Sequence, residues 1–469
     1  MSGELPAVGD FPFWTLDEVA AALAGLATGA VPRGARALRA VATDTRALTG
    51  GELFVALAGE RFDAHDFLPD ALSRGAAALV VHDARRAARL GVPVYEVPDT
   101  LVALGRLARH WRRAWGQHGR AVVGVVGSNG KTSTKELLRA ALGATHAVHA
   151  TAANLNNQVG VPLTLLALPP SAEIAVVEMG TNMPGEIAAL RLVAEPDVVV
   201  LTSIGEEHLE GLGDLAGVLR EESAAFDGAA LVVLPTDEAD AIAEARRRAR
   251  TVVRAGLDDG ELRAERWELA DDGSGLLVVD GTLVRTPLRG QHNLRNTMLA
   301  LAVARALGIP LADAARGLAA MPVPSMRTAW TALGRATLIN DAYNANPGST
   351  RAALDLLADA GRGRQRVAVL GTMRELGAHA DRLHDELARR ALDAGVEVVA
   401  GVGDFAAALA RVAPRDPRVV GAAEPEALWP LLAPRLAPDA MILLKASRGV
   451  RLERLVAPLE AWAALPVPS

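Results

Sequence analysis

An α/β fold in three domains is predicted by three features of the chain. Short apolar runs of strand type alternate with helical stretches, one such run passes straight into a glycine-rich loop and a helix at Gly127–Thr132, and a proline-bearing segment interrupts the pattern at residues 321–325. Residues 1–98 read as a small α/β N-terminal domain. Residues 99–324 read as a central P-loop domain on a doubly wound, mostly parallel sheet, and residues 325–469 as a Rossmann-like C-terminal domain. A chain of 469 residues is too long for one core, so several domains are expected.

Taken in order, a short helical start (residues 15–26) is followed by strand-type runs separated by turns: LRAVATDTR, GELFVALAG, AAALVVHD and VPVYEVPD. A helix over about residues 101–115 leads into AVVGVVG, which is apolar on both faces, as buried parallel strands are. A helix from Thr132 and the runs IAVVEMG, DVVVLTSIG and ALVVLP continue the alternation. Beyond MPVPS, the runs ATLIND, RVAVLG, VEVVAG and MILLKAS start a fresh α/β set.

Half of the residues are apolar and 22% are charged, and the net charge is -6 with a pI near 6.0. That balance gives no reason to expect nucleic acid as a partner. No run of about 18 apolar residues is present, so no spanning helix and no membrane insertion are expected. The stretch MSGELPAVGD has neither a basic nor an apolar leader region, so the cytoplasm is the expected compartment. With no cysteine there is no disulfide, thiolate metal site or cysteine nucleophile. A monomer is the expected state.

Of the 49 basic residues only Lys131, Lys135 and Lys445 are lysine. A chain so biased towards arginine keeps lysine preferentially where a compact ammonium is needed. Arginine's wide planar fork does not enter a tight phosphate-cradling loop. Lys131 and Lys135 lie in GVVGSNGKTSTKE, and Lys445 follows an apolar run in MILLKASRG.

Strand, GSNGKTS and helix together make an anion site from backbone amides and a helix N-terminus. Gly127 and Gly130 let the backbone approach phosphates, and Ser128, Asn129 and Ser133 complete the loop. Lys131 is placed to reach β and γ oxygens, and Thr132 to offer a hydroxyl to Mg²⁺. Val125 stands where the longer form of the pattern has glycine, so the loop is the shorter G-x-x-G-K-T form. Glu178 ends one apolar run and His208 follows another. Both are expected at the carboxyl ends of strands, where a carboxylate and an imidazole could share a divalent ion with phosphate oxygens. A capping acid and a solvated loop histidine are the plain alternatives.

These strings resemble the Mur ligase family. The resemblance runs through nearly the whole chain: DTRALTGGELFVALAGERFDAHDF, GSNGKTSTKE, NLNNQVGVPLTLL, EMGTNMPGEIA, EEHLEGLG, GQHNLRNTMLALAVARALG, NDAYNANPGSTRAALDLL, LGTMRELG and LLKASRG. NLNNQVGVPLTLL and DAYNANP point to the branch that adds a dipeptide. The branch that adds the third amino acid reads tyrosine-alanine-histidine where DAYNANP stands.

The resemblance implies that ATP's γ-phosphoryl group passes to the terminal carboxylate of a UDP-N-acetylmuramoyl-tripeptide. The amine of D-alanyl-D-alanine then attacks the acyl phosphate, giving an amide, ADP and phosphate in peptidoglycan precursor synthesis. It further implies that Thr45, Arg46, Asp63 and His65 hold the UDP end in the N-terminal domain. Asn154, Asn156, Asn157 and Gln158 would form a central substrate loop. His292, Asn293 and Asn296 would meet the adenine, and Arg327, Asp341, Tyr343 and Asn344 the phosphates and ribose. Lys445 and Arg448 would face the dipeptide or the phosphates. Taken singly, each asparagine has a turn or a helix cap as its plain alternative.

The chain departs from the family at one chemically important point. Many relatives carry a carbamylated lysine on the helix after HLEGLG that helps hold a second Mg²⁺, yet no lysine occurs between Lys135 and Lys445. Glu222 aligns there and would supply a carboxylate directly, with Glu221 as the neighbouring register and a solvated acidic face as the plain alternative. Thr372 replaces a usual aspartate, and Ala446 a usual glycine. Two other readings remain: a folylpolyglutamate-type ligase with the same loop, and a nucleotide-binding scaffold without turnover. The identity of the tripeptide's third residue is not written in any single motif.

Overall fold

A computed structural model describes residues 13–59, 62–270, 272–323 and 326–465. The boundary expected at 324/325 falls on residues outside the described ones, as does the segment MSGELPAVGD. Two compact units result, one of Met1–Val125, His146–Thr181 and Gly185–Val199, the other of Val126–Thr145, Asn182–Pro184 and Val200–Ser469.

In the first unit, the opening helix is Leu16–Ala22, shorter than the expected 15–26, with the Thr15 side chain accepting the Glu18 amide as its cap. The strands that begin at Val41, Leu53, Ala78 and Val94 lie side by side in that order, all parallel. Asp99 caps the helix Thr100–Trp115 by accepting the amides of Leu101 and Val102, which fixes its start. The strand Ala121–Val126 pairs in parallel with Ile174–Glu178, which pairs in parallel with Val148–Ala150. Every residue of Ile174–Glu178 is buried, so the double-sided apolar reading of these runs holds.

The second unit opens on the phosphate loop and the helix Lys131–Leu142. The strands Leu231–Pro235, Thr251–Gly256 and Leu262–Arg263 run parallel. An antiparallel trio, Arg266–Leu269, Ser274–Val279 and Thr282–Arg289, was not foreseen. Its middle strand alternates buried and half-buried positions, the pattern of a one-sided sheet rather than of a buried parallel one.

The last part of this unit is a six-stranded sheet in the order of strands beginning at Ala329, Ala336, Met441, Arg366, Val398 and Val419. Only Ala329–Leu333 is antiparallel to its neighbour. Alternate residues feed two cores. Ile339, Ala368 and Leu443 enter one, while Leu338, Val367 and Ile442 enter the other, as the two-residue period of a strand requires. The strands 336–341 and 366–371 flank 441–445 although they are consecutive in sequence, so the order reverses at 441–445. Ligands of such sheets bind outside the carboxyl ends at that reversal. The α/β class expected from the sequence is therefore the class observed. Among the described residues, no helix is long and apolar enough to cross a membrane.

Candidate active site

The strand 121–126 delivers the chain to Gly127, whose φ of 115° and Gly130's φ of 88° bend the loop through left-handed conformations open to glycine. A Cβ on Gly127 would stand 2.5 Å from Thr202 Oγ1, and one on Gly130 would stand 2.8 Å from Asn296 Nδ2. Glycine is therefore required twice over, for backbone angle and for space. Ser128 Oγ accepts the Gly205 amide at 2.8 Å, and the Asn129 amide donates to Ser203 Oγ at 3.1 Å. These bonds tie the loop to residues 202–205, which follow the strand Val198–Leu201.

Lys131 begins the helix Lys131–Leu142, with Thr132 and Ser133 in its first turn. The Lys131 ammonium donates to the Gly127 carbonyl and stands 3.6 Å from Glu207 Oε1. Glu222, completely buried, accepts the Gly127 amide through Oε2 at 2.9 Å, while its Oε1 is buried with no hydrogen-bond partner. Burial pushes the Glu222 carboxyl up to about 7, opposed by the Lys131 ammonium and reinforced by repulsion from Glu207. Burial likewise pushes Glu207 up, against the pull of Lys131 and His208.

This pocket holds two carboxylates against one ammonium. Such a pocket favours an added positive charge. Glu207 was not singled out from the sequence, although it is the residue before His208 in EEHLEG. A loop residue has no periodicity from which its burial could be read. His208 Nε2 is 3.7 Å from Glu207 Oε2, and its Nδ1 is 2.5 Å from Glu375 Oε2. Lys135, the second lysine of the loop region, is buried beside Glu136 at 3.0 Å and packs within the fold.

The adenine candidates cluster at the start of the helix Gln291–Ala306. Asn293 Nδ2 donates to the Arg289 carbonyl at 2.8 Å, and Asn296 Nδ2 to Asn293 Oδ1 at 3.3 Å. Burial pushes the His292 imidazole down to about 4, with Asp341 opposing and Lys445 adding to the effect.

Asp341 and Lys445 are register partners at the carboxyl ends of adjacent parallel strands, and their side chains, the lysine buried and the aspartate half-buried, form an ion pair at 2.6 Å. The second Asp341 oxygen accepts the Thr328 amide at 3.0 Å. The Arg327 guanidinium lies over the Tyr343 ring, 4.2 Å from its centroid. Asn344 is exposed, and Arg448 is exposed and paired with Glu453 at 3.1 Å. Thr372 Oγ1 accepts the Asp404 amide at 2.9 Å, and Ala446 is buried.

In the first unit, Asn156 Nδ2 donates to Glu178 Oε1 at 2.9 Å, which orients that strand-end carboxylate. Asn157 Oδ1 accepts the amides of Val159 and Gly160 where the helix Gly160–Leu166 starts, and Gln158 reaches Glu186 at 3.2 Å. Asn154 is exposed. Thr45 begins a short turn capped by Asp44, which also pairs with Arg46 at 2.6 Å.

Asp63 is bonded to His65 Nδ1 and to Arg86, both at 2.6 Å. Burial works against its ionisation, yet the His65 amide, Arg86 and the His65 ring hold it well below the usual carboxylate range. His65 Nε2 accepts the His82 amide at 3.0 Å, so both ring nitrogens are committed inside the protein. In the trio Asp63, His65 and His82, whose ligand atoms lie close enough to share an ion, the His65 ring is therefore already committed on both nitrogens.

The chain matches the Mur ligase family, catalytic domain over residues 38–112, the Mur ligase middle domain over 125–304, and the Mur ligase, glutamate ligase domain over 326–448. It is 34% identical over 428 residues to the UDP-N-acetylmuramoyl-tripeptide--D-alanyl-D-alanine ligase of Bacillus subtilis, covering 89% of this chain and 92% of that one. A crystal structure of MurF from Acinetobacter baumannii superposes with a TM-score of 0.86 at 29% identity, over 96% of this chain and 99% of that one. MurF ligase from Thermotoga maritima in complex with ADP gives 0.80 at 28% identity, over 91% and 98%.

Proposed function

The chain belongs to the Mur ligase family, and from that premise we propose that it joins D-alanyl-D-alanine to a UDP-N-acetylmuramoyl-tripeptide with ATP, through an acyl phosphate, in peptidoglycan precursor synthesis. It is an ATP-dependent enzyme that forms an amide bond. The similarity to a ligase of that specificity along nine-tenths of both chains carries this reading.

The residues support the chemistry. Phosphoryl transfer asks for positioning and charge neutralisation more than for covalent groups. The loop amides of residues 127–133 and the Lys131 ammonium would hold the β and γ phosphates. Swinging away from Gly127 O and Glu207 would let that ammonium follow the transferring charge. His292, Asn293 and Asn296 would receive the base, while Arg327, Asp341, Tyr343 and Asn344 would meet the ribose and phosphates. Lys445, its ammonium set by Asp341, and Arg448 would attend the incoming dipeptide. Thr45, Arg46, Asp63 and His65 would serve the uridine end, and Asn154, Asn156, Asn157 and Gln158 the peptide.

The donor set suits Mg²⁺: hard oxygen ligands beside an imidazole, with Glu207 Oε1 and Glu222 Oε1 both buried and without a hydrogen-bond partner. Thr132, Glu178, His208 and Glu222 are the residues that would hold it, and when bound it would neutralise charge on phosphate oxygens. We read residues 1–98, 99–324 and 325–469 as the UDP-substrate, ATP-binding and C-terminal Rossmann-like domains of a cytoplasmic monomer.

Phosphate release measured with ATP, the UDP-tripeptide and D-alanyl-D-alanine tests the proposal. Turnover that needs both acceptor substrates upholds it, and turnover indifferent to the dipeptide overturns it.

A further inference from the structure

The residues around His208 belong to two stretches far apart in sequence. His208 sits in EEHLEG, and Glu375 in the loop LGTMRELG that follows the strand Arg366–Gly371. Their side chains meet at 2.5 Å, Nδ1 to Oε2. The Glu210 amide donates to the Glu375 carbonyl at 3.1 Å. Leu209 and Leu212 share one hydrophobic core with Leu370, Met373 and Leu376, so the two stretches are fastened on both sides of the polar contact. His208 and Glu375 both hold positive φ, 49° and 64°, which non-glycine residues keep only where surroundings enforce it.

The contact decides where the imidazole's lone pair lies. In a neutral ring one nitrogen carries hydrogen and the other accepts. A carboxylate at Nδ1 claims the hydrogen, which leaves Nε2 bare. Facing Nε2 at 3.7 Å is Glu207 Oε2, also an acceptor, and the other Glu207 oxygen is 3.6 Å from the Lys131 ammonium. Two acceptors turned towards each other across a gap too long for a hydrogen bond are suited to a cation between them. Neighbouring ligands of an ion with bonds of about 2.1 Å are separated by roughly 3 Å, so a small side-chain rotation would close the gap.

We propose that Glu375 is a positioning residue for the cation site at the phosphate loop: by holding the proton on His208 Nδ1 it presents Nε2, together with Glu207, to a divalent ion. This rests on the cation reading given above. It adds Glu207 as a ligand and makes the LGTMRELG loop part of the site's assembly. A carboxylate behind a metal-binding histidine typically changes metal affinity by about 10- to 100-fold.

The test uses the full chain with Mn²⁺ and ADP as probes. Nitrogen-15 spectra of histidine-labelled protein without metal, with His208 assigned by its loss in His208→Gln, read the tautomer. Spin-resonance titration reads Mn²⁺ affinity in the presence of ADP. Wild type should show the Nδ1–H tautomer. Glu375→Ala should populate the Nε2–H form and weaken Mn²⁺ at least tenfold. Glu375→Gln, whose amide oxygen accepts the same proton, should restore the tautomer and most of the affinity. An unchanged tautomer and unchanged affinity in Glu375→Ala, with His208→Gln weakened, would overturn the positioning role alone. Unchanged Mn²⁺ affinity in His208→Gln would overturn the cation reading and this proposal together.

Discussion

Glu222 Oε2 accepts the backbone amide of Gly127 at 2.9 Å, so this buried carboxyl is bonded to the GSNGKTS loop itself. A neutral glutamine can mimic that acceptor but cannot bring a charge. We expect Glu222→Gln to fold normally and to need a several-fold higher Mg²⁺ concentration for half-maximal rate. Full activity at unchanged Mg²⁺ dependence would exclude Glu222 as a ligand.

The same carboxyl sets a pH dependence. Its folded value of about 7 lies above its ordinary 4.5. Between those values the unfolded chain has lost a proton that the folded chain keeps, so this group's contribution is intact below 4.5 and is lost as pH rises through 7. At about 1.4 kcal/mol for each unit, the loss is on the order of 3 kcal/mol. Urea unfolding of metal-free protein at about pH 5 and about pH 8 should show that loss in wild type and a flatter profile in Glu222→Gln. Equal slopes in the two proteins would contradict the assignment.

Lys131→Arg tests whether charge alone is enough at the loop. The ammonium occupies a pocket bounded by the Gly127 carbonyl and Glu207, where a planar guanidinium has no equivalent site. We expect kcat to fall by roughly 10²- to 10³-fold, with circular dichroism unchanged. A loss under tenfold in single-turnover phosphate release would show that position 131 needs only a positive charge.

Gly127→Ala would force a Cβ to 2.5 Å from Thr202 Oγ1 and 2.9 Å from the Ser203 carbonyl, at a φ of 115°. Backbone cannot yield there without breaking the bond from the Ser128 amide to Ser203 O. A cost of roughly 2–4 kcal/mol is expected, together with weakened ADP binding. Gly185→Ala, at a similar φ of 92° but with open space around its Cβ, serves as the control for the steric part and should cost less. Comparable denaturation midpoints for the two variants would refute the steric account.

Breaking the Asp341–Lys445 pair leaves either the buried Lys445 ammonium or the half-buried Asp341 carboxylate without its counter-charge. Asp341→Asn and Lys445→Met should each cost about 3–5 kcal/mol, and the double variant less than their sum. Simple additivity in chemical denaturation would show that the pair does not act as a unit.

Much of the site could be read from local strings. The phosphate loop lies within a dozen consecutive residues, and its strand, glycines and helix are set by nearest neighbours. Lys131 and Lys445 stood out because lysine is so rare in the chain. Glu207 and Glu375 could not be found that way. Each lies in a loop, where no periodicity reports burial, and each gains its role from a partner brought in by packing. The antiparallel trio at residues 266–289 escaped notice because its half-buried alternation is broken by turn residues.

By itself, the sequence determined the α/β class, the glycine-rich loop between strand and helix, and the family, because these depend on short-range chemistry and on the order of motifs along the chain. Only the tertiary structure decided that Glu222 and Glu207 share a closed pocket with one ammonium and that Glu375 stands behind His208. It also decided that the strand ends at 341 and 445 lie side by side. Burial and electrostatic coupling depend on which distant segments meet, and the free energy that brings them together comes from the whole core rather than from any local string.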